Sequence, residues 1–156
     1  VGEGKAKKYG KEFLELIPQG LNVSIERETF PKAIEEGSMY ALESDAYWLD
    51  IGTIEKYIDA NNDFLKNISN ESDFNKYKEI ETNIYSDGNI TIGAGVIAKS
   101  KCLIGAGSTV ADNCILDSVV IGSNVVVSAN TVILISVVYE NSNIGQNSKI
   151  ENSILP

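Results

Sequence analysis

The segment YWLDIGT, Tyr47 to Thr53, sets a carboxylate between an aromatic pair and a Gly-Thr step. Asp50 at its centre has two chemical uses: it can accept from backbone N–H groups and close a turn, or offer hard oxygen donors to a divalent cation. Composition removes much other chemistry. The chain has no histidine, so it offers no imidazole base, no Ser-His or Cys-His pair and no His-ligated zinc. Cys102 and Cys114 lack zinc-like spacing, and in a reducing compartment they read as small core or corner residues rather than a disulfide. VGEGK at the start has a superficial likeness to a phosphate loop, but the spacing is wrong and Ala6 follows Lys5 where Ser or Thr would be needed.

The 156 residues suffice for one ordinary domain or two small ones, and 43% hydrophobic content fits a packed protein. A net charge of −9 argues against a nucleic-acid partner, which needs clustered Lys and Arg. No run of about 18 apolar residues could span a bilayer, and the start lacks the apolar core of a secretory signal. The expected setting is the cytoplasm, with no membrane partner. A chain without an initiator Met is expected to be a processed or truncated piece, with residues 1–10 flexible.

The elements that must position Asp50 follow from periodicity. Lys11 to Ile17 reads as a short helix ended by Pro18 and Gly20. Ser24 is the expected N-cap of a second helix running to Gly37, with Glu26 near its positive end and Pro31 forcing a kink or a fresh start. Glu26 and Arg27 are structural in this reading. MYALES and AYWLD read as short extended segments, the second ending at Asp50. Thr53 then caps a helix with Ile54, Tyr57, Ile58, Phe64 and Leu65 on one face.

Ten of the twelve aromatic residues precede residue 80, which marks a boundary; the polar stretch Ile68 to Asn83 is the connector. Beyond it the period is six. IGAGVI, AKSKCL, IGAGST and VADNCI begin at Ile92, Ala98, Ile104 and Val110; IGSNVV and VSANTV begin at Ile121 and Val127; IGQNSK and IENSIL begin at Ile144 and Ile150. This is the grammar of a hexapeptide parallel β-helix, in which three hexapeptides make one coil of a triangular prism. Each inward Ile or Val contributes roughly 1.5–3 kcal/mol by burial, and neighbouring coils complete the core that no single repeat can close. Ser118 and Ser136, 18 apart, are expected to stack in successive coils, with one residue lost before Ser153. The end coil at IENSILP has no obvious polar cap, which favours self-association or a truncated C-terminus.

The stretch Ile17 to Leu65, followed by the hexapeptides, resembles the end of the catalytic domain and the β-helix of sugar-1-phosphate nucleotidyltransferases, especially those like mannose-1-phosphate guanylyltransferase. The resemblance covers nearly all of the chain beyond its first ten or so residues. It implies a mainly β fold: residues 1–67 as the C-terminal segment of an α/β catalytic domain, 68–85 as linker, and 86–156 as a left-handed β-helix that oligomerises or regulates. It further implies transfer of a nucleotidyl group from a nucleoside triphosphate to a sugar 1-phosphate with release of pyrophosphate, Mg²⁺ bridging the phosphates. In the family's W-x-D-x-G-T motif, matched by Trp48, Asp50, Gly52 and Thr53, the Asp is one of two metal-binding carboxylates. Thr53 is a cap and Gly52 a turn residue. Trp48 is a packing residue that also lines the sugar pocket.

The family's Gly-rich nucleotide loop with its Arg and downstream Pro-Lys, and its first metal-binding Asp, have no counterpart here; Phe30-Pro31-Lys32 lies in a helical segment. The chain alone is therefore expected to be inactive. Two alternatives stand beside the enzyme: a non-catalytic regulatory or assembly subunit of the same fold, and a hexapeptide acyltransferase, which the missing His base disfavours. Base and sugar, guanosine and mannose by likeness only, are set by residues expected upstream.

Overall fold

A solenoid forms when each hexapeptide turns one aliphatic side chain inward and the next coil covers it. In the computed structural model, which describes residues 13–37, 39–40, 42–68 and 76–156, the chain winds about four turns of parallel β-solenoid. The expected flexible start, the opening of the Lys11–Ile17 helix and residues 69–75 of the connector lie outside the described residues. The chain divides into two compact units, Val1–Tyr47 and Trp48–Pro156.

Twelve short strands are described: β1 (Lys78–Glu81), β2 (Ile84–Ser86), β3 (Thr91–Ile92), β4 (Ile97–Ala98), β5 (Cys102–Ile104), β6 (Thr109–Val110), β7 (Ile115–Ile121), β8 (Val126–Val127), β9 (Val132–Val138), β10 (Asn143–Ile144), β11 (Lys149–Glu151) and β12 (Ile154–Leu155). Parallel register stacks the inward residues in columns. One column holds Ile92, Val110, Val127 and Ile144; a second holds Ala98, Leu116, Ile133 and Ile150; a third holds Ile104, Ile121, Val138 and Leu155. All eight hexapeptide starts read from the sequence lie in or against this core. In six of the eight hexapeptides the fourth place carries Gly or Asn because the corner turns through positive φ, as at Gly95, Asn113, Asn124, Asn130 and Asn147. Amides at Asn113, Asn130 and Asn147 then ladder along one corner at 3.4 Å.

The serine stack expected from sequence is displaced. Ser136 lies opposite Val119, whereas Ser118 stacks on Ser100, whose Oγ accepts from its backbone N–H at 2.7 Å. The first coil has 18 residues from Ala98 to Leu116, but Leu103 pairs with Val120, 17 on; the residue is therefore lost at the first corner, where Lys101 has no counterpart, and later coils repeat at 17. The glycine at the second place of the isoleucine-glycine steps has a separate cause. A Cβ on Gly105 would fall 2.6 Å from the Gly122 backbone, and one on Gly122 2.5 Å from the Glu140 nitrogen, so coils approach closer there than any side chain allows.

The start of the solenoid is covered by β1, which pairs antiparallel to β2 and occupies its open edge. The later part of the expected connector is thus a hairpin, and Ile84 already belongs to the core.

Helix α2 (Ile54–Asn67), named after a first helix α1 (Phe30–Glu35), lies against the outside of β7 and β9. Outward residues Tyr85, Leu103, Val120, Val137 and Ile154 form one column across five rungs, and Leu65 and Ile68 pack on its Tyr85–Leu103 end with Phe64 and Tyr77. Fourteen helical residues extend about 21 Å, close to the roughly 19 Å covered by four inter-strand steps. Ile58 and Leu65 are buried as expected of the apolar face, but Ile54 is 59% exposed. Lys101 Nζ donates to the Lys66 carbonyl at 3.1 Å and so closes the helix C-terminus onto the first corner.

In the other unit, residues 13–15 are helical and Phe13 packs on Phe30. Ser24 caps as expected, its Oγ accepting from the Arg27 N–H at 3.3 Å. The reciprocal bond comes from Glu28 rather than Glu26: Ser24 N–H donates to Glu28 Oε1 at 3.0 Å. A wide π-type turn, Ile25–Thr29, precedes α1, which restarts with Pro31 in its first turn and ends at Glu35, capped by Glu36 before Gly37 at φ 66°; a proline lacks the N–H an uninterrupted helix would use.

Candidate functional site

The carboxylate of Asp50 is placed by the start of α2. Thr53 sits in extended backbone, its Oγ1 accepts from the Lys56 N–H at 3.3 Å, and its carbonyl takes the first intrahelical bond from the Tyr57 N–H at 3.0 Å. Three residues earlier, Asp50 Oδ1 accepts from the Gly52 N–H at 3.2 Å, an Asx turn that leads the chain into the cap. Asp50 Oδ2 faces outward, with Lys56 Nζ at 3.7 Å. One carboxylate oxygen therefore holds the turn while the other pairs with Lys56. Glu55, in the first turn, is held below the usual carboxylate range by the helix N-terminal backbone N–H and by the Thr53 hydroxyl, so the entrance to α2 carries two anionic side chains and one lysine.

Mg²⁺ takes oxygen donors and commonly binds through one or two carboxylates plus substrate phosphates. Asp50 Oδ2 fits as one such donor. Among the described residues no group of three or more His, Cys, Asp or Glu side chains converges to hold a metal, so Asp50 is a contribution to a site and not a site by itself. Trp48 is 81% exposed. Gly52 is not demanded by space, since an added Cβ would lie 3.4 Å from Asp50 Oδ1, an ordinary contact.

The extended segments leading to Asp50 form no strand among the described residues. Tyr40 is 87% and Leu42 94% exposed. A cleft of about 650 Å³ opens between α2 and the solenoid corners, lined by Leu49, Asp59, Asn62, Lys66, Lys101 and Ser118 among others; Trp48 and Asp50, on either side of Leu49, do not line it. The Lys56 partner was not read from the sequence, and the signal for it is a lysine at the third helical position, where the cap turns its side chain back toward the Asx turn. The buried cysteines match their expected role: Cys102 and Cys114 are free and fully covered. No described helix is long and apolar enough to cross a membrane.

Residues 16–67 match the nucleotidyl transferase family model. The chain is 27% identical over 119 residues to mannose-1-phosphate guanylyltransferase of Mycobacterium tuberculosis, covering 75% of this chain and 32% of that protein. It is 33% identical over 99 residues to mannose-1-phosphate guanylyltransferase 1 of Arabidopsis thaliana, covering 62% and 26%. Bifunctional protein GlmU of Methanococcus vannielii is 35% identical over 97 residues, covering 62% and 22%. The matched stretch spans about a third or less of each of these relatives.

Proposed function

We propose, from the premise that this chain is a relative of the sugar-1-phosphate nucleotidyltransferases, that it is the C-terminal part of a cytoplasmic enzyme making a nucleoside diphosphate sugar, GDP-mannose-like by kinship. In that reaction a phosphate oxygen of the sugar 1-phosphate attacks the α-phosphorus of a nucleoside triphosphate, the bond to the β-phosphate oxygen breaks, and pyrophosphate leaves. The observation that carries the reading is the W-x-D-x-G-T turn with one Asp50 oxygen bound to the Gly52 N–H and the other exposed. Mg²⁺, when bound, supplies charge neutralisation on the phosphates. Asp50 offers Oδ2 to it, the Asx turn fixes the direction of that oxygen, and Lys56 balances the carboxylate charge until a ligand arrives.

The exposed rings and side chains of Tyr40, Leu42 and Trp48 support the same reading: they are surfaces for the remaining strands of a catalytic domain, and Trp48 then borders the sugar. The solenoid serves self-association. Among the described residues Asp50 joins no group of three or more metal-ligating side chains, and the chain alone is proposed to be inactive. That shortfall also favours one second reading, a non-catalytic assembly subunit. The test is Mg²⁺-dependent pyrophosphate release by a full-length protein, with Asp50→Asn expected to lower turnover by at least about a hundredfold. Unchanged turnover would remove the metal-ligand role; no turnover in the folded parent would leave the assembly reading in possession.

A further inference from the structure

Lys56 is the third residue of α2, and its Nζ lies 3.7 Å from Asp50 Oδ2. The pair is open to solvent, the two side chains being 48% and 62% exposed. Asp50 is the fixed member: its Oδ1 accepts from the Gly52 N–H at 3.2 Å, and the chain enters the Thr53 cap directly afterwards. Glu55, the other carboxylate here, is drawn to the helix N-terminal backbone and the Thr53 hydroxyl. The outward oxygen of Asp50 is therefore flanked by an ammonium and by the positive end of a helix dipole.

Those charges treat two forms of a metal differently. A bare divalent cation meets its own sign at Lys56 and at the helix end, and it gains Oδ2 only by displacing the ammonium. The same cation carried on a nucleoside triphosphate arrives within a net anion, because the phosphates hold more charge than one cation cancels. A lysine released from Oδ2 then has phosphate oxygens to turn to, and Lys binds phosphate as a point charge. Resting on the reading of Asp50 as a metal ligand, we infer that Lys56 is a positioning residue that selects how the metal arrives: it holds Asp50 Oδ2 against free divalent cations and yields it to a cation bound to nucleoside triphosphate. Metal and substrate thereby enter together. An exposed pair of this kind shifts an equilibrium by up to about fivefold, and the shift is screened as ionic strength rises.

Mn²⁺ prefers the same oxygen donors as Mg²⁺, and its unpaired electrons report binding by electron paramagnetic resonance. The test titrates the full-length protein with Mn²⁺ alone, and then with Mn²⁺ plus the α,β-methylene analogue of guanosine triphosphate; circular dichroism checks that each variant folds. Lys56→Gln is expected to tighten Mn²⁺ alone by about threefold and to weaken the Mn²⁺–nucleotide complex by a similar factor. Local damage to the fold weakens both and cannot imitate shifts of opposite sign. Both shifts should shrink in about 1 M salt, and Lys56→Arg, which keeps the charge, should stay near the parent. Shifts of the same sign or none for Lys56→Gln, while Asp50→Asn weakens both titrations, overturn the selection by Lys56 and leave the metal ligand in place. Lys56→Arg behaving as Lys56→Gln does overturns charge as its cause. Asp50→Asn without effect on either titration overturns the metal-ligand reading, and this inference with it.

Discussion

Leu116 and Leu42 are the same side chain in opposite circumstances: the first is fully buried in the second coil, the second is 94% exposed in an extended segment. The coils close their own core, because each aliphatic residue is covered by the residue 17 or 18 positions away and the chain contains both. The segments around Asp50 have comparable apolar content and no such internal partner among the described residues. Packing within the solenoid is thus a property of this chain, whereas the apolar side chains leading to Asp50 stay exposed among the described residues.

The largest expected effect sharpens that contrast. Leu116→Ala should cost about 2–5 kcal/mol in chemical denaturation, while Leu42→Ala in the same chain should stay within about 0.5 kcal/mol; similar losses at both positions would show that Leu42 is covered in solution. Next comes the close approach of coils. Gly122→Ala, which must push the Glu140 backbone aside, should lower stability by about 1–3 kcal/mol, read as a drop in the denaturation midpoint without change in its slope. A third, smaller effect lies in alkaline solution. Burial raises the Cys102 thiol from 9.0 to about 11, with the nearby Asp117 charge adding to the rise against opposing backbone hydrogen bonds. A thiol whose folded value exceeds its unfolded one ionises first in the unfolded chain, so stability should fall as pH rises from about 9 to about 11. Cys102→Ala should flatten that slope. Ellman's reagent should find both thiols unreactive until denaturant is added.

The core columns were legible because burial recurs with the hexapeptide: Ile92, Val110, Val127 and Ile144 each open a repeat and each face inward. Exact register was not, because a coil can drop a residue at a corner without changing the inward pattern, and the 18-residue spacing of Ser118 and Ser136 was coincidence. Sheltering of one face by α2 went unread for a related reason. Tyr85, Leu103, Val120 and Val137 are outward residues, invisible to a search for inward ones, although they too recur every 17 or 18 positions. At the site, the motif pointed to Asp50 and Thr53, but the division of labour between the two carboxylate oxygens depends on cap geometry and on Lys56. Burial of Trp48 could not be judged from type, since a tryptophan is apolar whether or not its cover is present.

The length of α2 has one more consequence. A repeat in which each coil meets only its neighbours has no intrinsic count; coils could be inserted or removed with little change in the environment of any other. A rigid rod laid across the outer ends of the rungs behaves as a gauge. Inserting a coil beneath it would slide the outward aliphatic column past the helix and leave a bare residue at one end, while deleting a coil would strand part of the helix's apolar face. Copy number along this stretch is thus held by an element that does not itself repeat, and a lineage of such chains should gain or lose coils only beyond the reach of that helix.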